Sequence, residues 1–251
     1  MAFKQGGVRH GRLGKRSLVA FDGNVTGSRS VWPEETKKMA LAKTKFSVRD
    51  HGFHFINLFD FSFEFEVPFV GTVDLGHVLH GLCGGMCFAV LDYLQAGKPV
   101  PSLDSVAAIG PDLLRYLRDR QLDSLSLPLG VAKVFEWMMR DDEDVWRLTA
   151  EKEFPKLRKR LDQGKQTVLA LIRVRGLDNP TMNHQVLAHG YKFDETTKDL
   201  EVYLYDPNYP GQEPMLGMNL ANPEQGINAA QSSGEPLRGF FVVNYRPQTP
   251  P

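Results

Sequence analysis

Cys87 follows the run Gly81-Leu82-Cys83-Gly84-Gly85-Met86, where a glycine-rich turn gives way to an amphipathic segment. A thiol at the start of a helix meets unsatisfied backbone N–H groups and the positive end of the helix dipole, and both favour thiolate over thiol. A hundred or so residues later, His184 and Asp206 stand at the ends of two segments with alternating apolar residues. A cysteine with a His-Asp pair is a set that does nucleophilic catalysis through a covalent acyl-enzyme. Cys87 is then the nucleophile, His184 the base and Asp206 the carboxylate that holds the imidazole.

A strand register supports the pairing. If the segments 183–191 and 200–206 form a hairpin with its turn centred on Glu195, Ala188 faces Val202, Val186 faces Leu204 and His184 faces Asp206. Paired residues of an antiparallel ladder share a face, and alternate residues along a strand do too. The imidazole then lies beside the carboxylate at the open end of an apolar face. One ring nitrogen bonds Asp206 and the other is left for a thiol. Each residue alone has an ordinary structural reading, Asp206-Pro207-Asn208 as a turn start and His184 as a capping or surface histidine. His189 falls on the opposite face from His184 and is the weaker candidate for the base.

The elements that position these residues are legible in outline. From Phe53 to Phe69 the odd positions are apolar except for Asn57, a period-two signal for one long strand or a hairpin bent near Asn57. Phe88, Leu91 and Leu94 recur at helical spacing until Gly97-Lys98-Pro99 ends the pattern, so this helix carries Cys87. Further helices are expected at 111–122, at 131–139 and around 145–161, with Pro155 bending or dividing the last. Strands are expected at 167–174, 184–192, 200–206 and 238–245. The fold class is α+β, helices first and antiparallel sheet second. The Gly-, Pro- and Asn-rich connection 207–236 reads as a lid that closes over the site or as a loop packed on the sheet.

These residues resemble the papain-like cysteine peptidase superfamily, and the C-terminal part is most similar to its bacterial double-glycine leader peptidase branch. The resemblance rests on Cys83-Gly84-Gly85-Met86-Cys87-Phe88-Ala89, on the apolar strand 167–174 after the helix ending at Gly164, on the His184 strand ending in Gly190-Tyr191, and on Asp206-Pro207. It implies a nucleophile helix packed on a C-terminal antiparallel β-sheet, with Cys87, His184 and Asp206 as the triad. It implies a peptidase or amidase acting on a peptide or other amide substrate, with acyl transfer as a variant. The position six residues before Cys87, where the family has an oxyanion-stabilising Gln, is Gly81. That substitution motivates a second reading, a catalytically inactive papain-like interaction module. The Gly-Gly-Met-Cys-Phe run is also similar to arylamine N-acetyltransferases, but Ala89 stands where that family has an acidic residue. A third reading makes His77, His80, Cys83 and Cys87 a zinc site.

The bulk properties exclude several classes. Thirty Lys and Arg balance thirty Asp and Glu in 251 residues, so no global field draws the chain to nucleic acid or an anionic membrane. No apolar run approaches the ~20 residues of a membrane span. Two cysteines are too few for a disulfide framework, and the charged first sixteen residues do not read as a signal peptide, so the expected compartment is cytoplasmic. No pattern calls for a cofactor. Residues 1–45 are expected as a basic, flexible arm and 46–251 as a single papain-like α+β domain.

Overall fold

The computed structural model describes residues 38–67, 71–79, 81–126, 129–221, 234 and 237–251, with backbone alone for 60–67 and 71–79. The described part is α+β. Its principal sheet is antiparallel and contains β1 (Met39–Lys43), β4 (Thr167–Ile172), β5 (His184–Asp194), β6 (Asp199–Tyr205), β7 (Met215–Asn219) and β8 (Gly239–Val242). The order across it is β7-β6-β5-β4-β8, and β1 pairs with the turn-proximal end of β5. A separate hairpin joins β2 (Asp60–Val67) to β3 (Gly71–Leu79). Among the described residues no helix is long and apolar enough to cross a membrane.

Helices cover both faces of the sheet. On one side lies α2 (Cys83–Gln95), where Met86, Phe88 and Val90 share a core with Val168, Ala170, Leu187 and Tyr205. On the other lies α6 (Phe154–Asp162), where Leu157 and Leu161 pack with Leu169, Val186, Ala188, Val202 and Leu204. All six residues of β4 are buried because both of its faces are covered. The other helices are α1 (Val48–His51), α3 (Pro111–Leu125), α4 (Leu129–Met139) and α5 (Asp142–Leu148). Pro155 carries no N–H for the α-helical ladder, and just before it the backbone widens into a single π turn, with the Phe154 N–H bonded to the Thr149 carbonyl.

Four expectations change. The expected arm, 1–45, overlaps the fold, because residues 39–43 form an edge strand on β5; residues 1–37 lie outside the described residues. The regular strand begins only at Asp60, while Phe53, Phe55 and Phe59 are buried in an irregular segment. Aromatic residues at alternate positions mark burial, and here irregular backbone supplies it without a ladder. The expected lid contains β7, whose Leu216 and Met218 are buried against the sheet, so 215–219 is a packed edge strand. Residues 222–233 and 235–236 of that segment lie outside the described residues.

The fourth change concerns the glycines. Gly84 and Gly85 lie inside α2, which starts at Cys83, so they form no turn. A Cβ on Gly85 would stand 2.3 Å from the Leu117 carbonyl oxygen of α3, and one on Gly84 would stand 2.1 Å from Ser124 Oγ and 2.6 Å from Gln185 Oε1. A larger residue at 85 would collide with fixed backbone, and one at 84 would have to displace the Ser124 and Gln185 side chains. The pair therefore serves close packing of α2 against α3 and β5, and the helix begins one turn earlier than its sequence suggests.

Candidate active site

Because α2 starts at Cys83, the thiol at the helix start is that of Cys83. Cys87 sits one turn in, fully buried, where Val90, Leu91 and Leu94 continue the same stripe at i+3, i+4 and i+7. Its Sγ donates to the backbone carbonyl of Gln185 at 3.8 Å. Burial, reinforced by Cys83 and Asp206, pushes its pKa well above the ordinary thiol value. Of the expected triad, then, His184 and Asp206 are brought together, while Cys87 is turned into the core and Cys83 stands against the imidazole.

The His184–Asp206 contact is a 2.7 Å hydrogen bond from Nε2 to Oδ1, and both side chains are buried. The register that produces it differs from the expected one. At the turn-proximal end Gly190 pairs with Tyr203, which places the turn between Thr196 and Thr197 rather than at Glu195. At the site end Ala188 pairs with Leu204 and Leu187 with Tyr205, so His189 is an extra, bulged residue. Had the first register continued, Asp206 would share its alternation with Leu187 and point away from His184. The one-residue slip puts Asp206 in step with Val186, and so with His184 two residues on. The bulge lies where β5 changes partners on its opposite edge: β4 pairs with 184–188, β1 with 190–194, and the His189 carbonyl between them accepts the Thr44 N–H at 2.9 Å. His189 itself is buried, with Nε2 3.3 Å from Glu213 Oε1 on the sheet's edge rather than at the triad. Burial holds its imidazole neutral, lowering the pKa to about 4.

The electrostatics of the three groups are coupled. Burial alone would discharge His184, but the Asp206 carboxylate and the Cys83 sulfur outweigh it and raise the pKa to about 10. Burial would likewise raise Cys83, but the His184 charge and hydrogen bond, with the backbone N–H groups of Gln185 and Gly84, bring it below the ordinary thiol value. Asp206 is held below the usual carboxylate range, the His184 charge and hydrogen bond and the Asn208 N–H at 2.9 Å overcoming its burial. With Nε2 committed to Asp206, Nδ1 is the ring nitrogen that faces Cys83. The arrangement favours a thiolate–imidazolium pair, oriented by a buried carboxylate.

Two residues outside the triad hold it in place. Asn57, fully buried, accepts the Leu82 N–H on Oδ1 at 3.2 Å, donates from Nδ2 to Asn208 Oδ1 at 3.1 Å, and sends its own N–H to the Pro207 carbonyl at 3.0 Å. It thereby ties the residue before Cys83 to the turn after Asp206. Its signal in the sequence was the single polar break in the run of alternate aromatics. Gln121 of α3 accepts the Gly85 N–H at 2.7 Å, capping the first turn of α2 in place of Leu82, which has no side-chain acceptor. Of the zinc reading, His80 and the side chain of His77 lie outside the described residues, and among the described residues no group of three or more His, Cys, Asp or Glu is placed to hold a metal. No protein-family model, curated protein or solved structure matches this chain.

Proposed function

We propose that this protein is a papain-like cysteine hydrolase that cleaves a peptide or other amide, with Cys83 as nucleophile, His184 as acid and base, and Asp206 as the residue that orients the imidazole. One observation carries the reading: a thiol at a helix N-terminus facing a histidine whose other nitrogen is 2.7 Å from a buried aspartate. The order along the chain agrees with the papain-like resemblance, with the cysteine opening a helix, the histidine opening a strand and the aspartate following the next strand.

The Cys83 thiolate adds to the amide carbonyl carbon, and the developing oxyanion faces the Cys83 backbone N–H at the start of α2. As the C–N bond breaks, His184 gives its proton to the leaving nitrogen and an S-acyl thioester remains. Water then attacks the thioester carbon while His184 takes its proton. The C–S bond breaks, the acid leaves, and the thiolate–imidazolium pair is restored. Asp206 stays ionised throughout and keeps the ring in one tautomer.

Labelling with iodoacetamide at pH 6, followed by peptide mapping, tests this reading. An activated thiolate at Cys83 is alkylated there, whereas an ordinary thiol of pKa ~8.5 reacts hardly at all. Labelling should disappear in Cys83→Ala and persist in Cys87→Ala. An inert Cys83 removes the hydrolase reading.

A further inference from the structure

A cavity of about 830 Å³ is walled by α3, α4, β8 and the flank of α2. Its size falls within the usual range for small-ligand and peptide pockets. Two lining residues, Ser124 and Gln185, crowd against Gly84, the residue after Cys83, and Gln185 itself follows His184. A group seated in the cavity therefore meets Gln185, the residue next in the chain to His184, on the flank of α2 where Gly84 follows Cys83.

The chemistry of the wall narrows what fits. Gln185 is 8% exposed, and its Oε1 has no hydrogen-bond partner among the described residues. A buried amide oxygen left unpaired is destabilising, so the site is complete only when something donates to it. The donor is not cationic. Of the cations that line the cavity, Arg120 is paired with Asp92 and Asp123 at 2.7 Å each and Lys133 with Glu153 at 3.3 Å, so the wall offers no spare carboxylate for an incoming cation and Arg246 opposes one. Phe88, Val134 and Phe241 supply apolar wall between these groups. A neutral N–H among short apolar groups is the signature of a peptide backbone.

We propose that this cavity is the substrate subsite of the enzyme and takes an uncharged peptide segment, one backbone or side-chain amide N–H of which donates to Gln185 Oε1. The assignment rests on the Cys83–His184–Asp206 reading for its meaning, but its test does not require turnover. Calorimetric titration of full-length Cys83→Ser with N-acetylated, C-amidated tripeptides of Ala, Leu and Gln should give saturable binding, and counterparts carrying Lys should bind at least tenfold more weakly. Adding Gln185→Leu, which keeps the bulk and removes the acceptor, should weaken the neutral peptides about tenfold. Val134→Trp, which fills the cavity from α4, should abolish their binding. Circular dichroism establishes that each variant is folded. Absence of saturable binding, or binding indifferent to both substitutions, overturns the subsite. Failure of iodoacetamide to label Cys83 with peptide binding intact would overturn the hydrolase reading alone, so the two failures are distinguishable.

Discussion

The protein buries two carboxylates beside α2, and they have been put to different uses. Asp92, near the C-terminal end of the helix, lies 2.7 Å from Arg120 Nε, accepts from the hydroxyls of Tyr116 and Tyr245 at 2.6 Å each, and accepts the Gln248 N–H at 2.8 Å. Its cation is the planar guanidinium of an arginine, which bonds the carboxylate through fixed N–H groups. Asp206, near the helix's other end, faces a histidine, whose proton can move, and beyond the histidine a sulfur that can form a bond. The first cluster staples α2 and α3 to the C-terminal segment. The second holds a titratable imidazole against a thiol. A buried acid–base pair thus becomes chemistry or structure according to whether its cation can titrate.

That contrast breaks most sharply at Asp92. Asp92→Ala leaves Arg120 buried without its partner and should lower stability by about 3–5 kcal/mol, measured by urea denaturation, while the folded fraction still alkylates at Cys83. A variant of wild-type stability would mean that the cluster is not a staple. Asp206→Asn should act the other way round, retaining the fold but cutting amide turnover on the order of 10²-fold or more. Wild-type turnover would remove Asp206 from the site.

A pH series sharpens the same comparison. The His184 pKa is raised in the folded protein to about 10, so the His184–Asp206 pair adds its full stability below the unfolded histidine value of ~6.5 and loses it as pH rises through about 10. It is lost again in acid, as pH falls through the depressed pKa of Asp206. The stability difference between the wild type and Asp206→Asn should follow this bell, whereas the difference for Asp92→Ala should stay flat from pH 6 to 10. A flat profile for both would place His184 outside the titrating pair. Smallest in effect is Asn57→Ala, which frees the Leu82 N–H and Asn208; it should cost about 1–3 kcal/mol and slow alkylation of Cys83 because the start of α2 is no longer tied to the Asp206 turn.

The sequence made the α+β class, α3, α4, the break at Pro155 and the His184–Asp206 pair legible, because each depends on local periodicity or on residues close to a hairpin. It put Cys87 rather than Cys83 at the helix start for a physical reason. Gly84-Gly85 looked like a turn, yet those glycines exist for contacts with Leu117 and Ser124 that are made only in three dimensions. The correcting signal was present, since Cys87 lies on the same i, i+3, i+4, i+7 stripe as Val90, Leu91 and Leu94, and a residue on that stripe faces the core. The His189 bulge left no trace in the alternation. The register was misjudged by two residues along the hairpin, yet the histidine and aspartate met, because a two-residue shift preserves the face. Strand β1 was hidden in a short segment that reads as part of a basic arm and gains its order from the edge of β5.

In the proposed enzyme the helix start and the imidazole activate Cys83 and leave Cys87 inert. The rate of iodoacetamide alkylation at each cysteine, resolved by peptide mass spectrometry between pH 5 and 10, tests it most directly. Cys83 should already react near pH 6, lose that low-pH reactivity in His184→Ala, and outpace Cys87 throughout. Alkylation of Cys87 in preference to Cys83, or a Cys83 profile that rises only near pH 9 and ignores His184, would contradict the account.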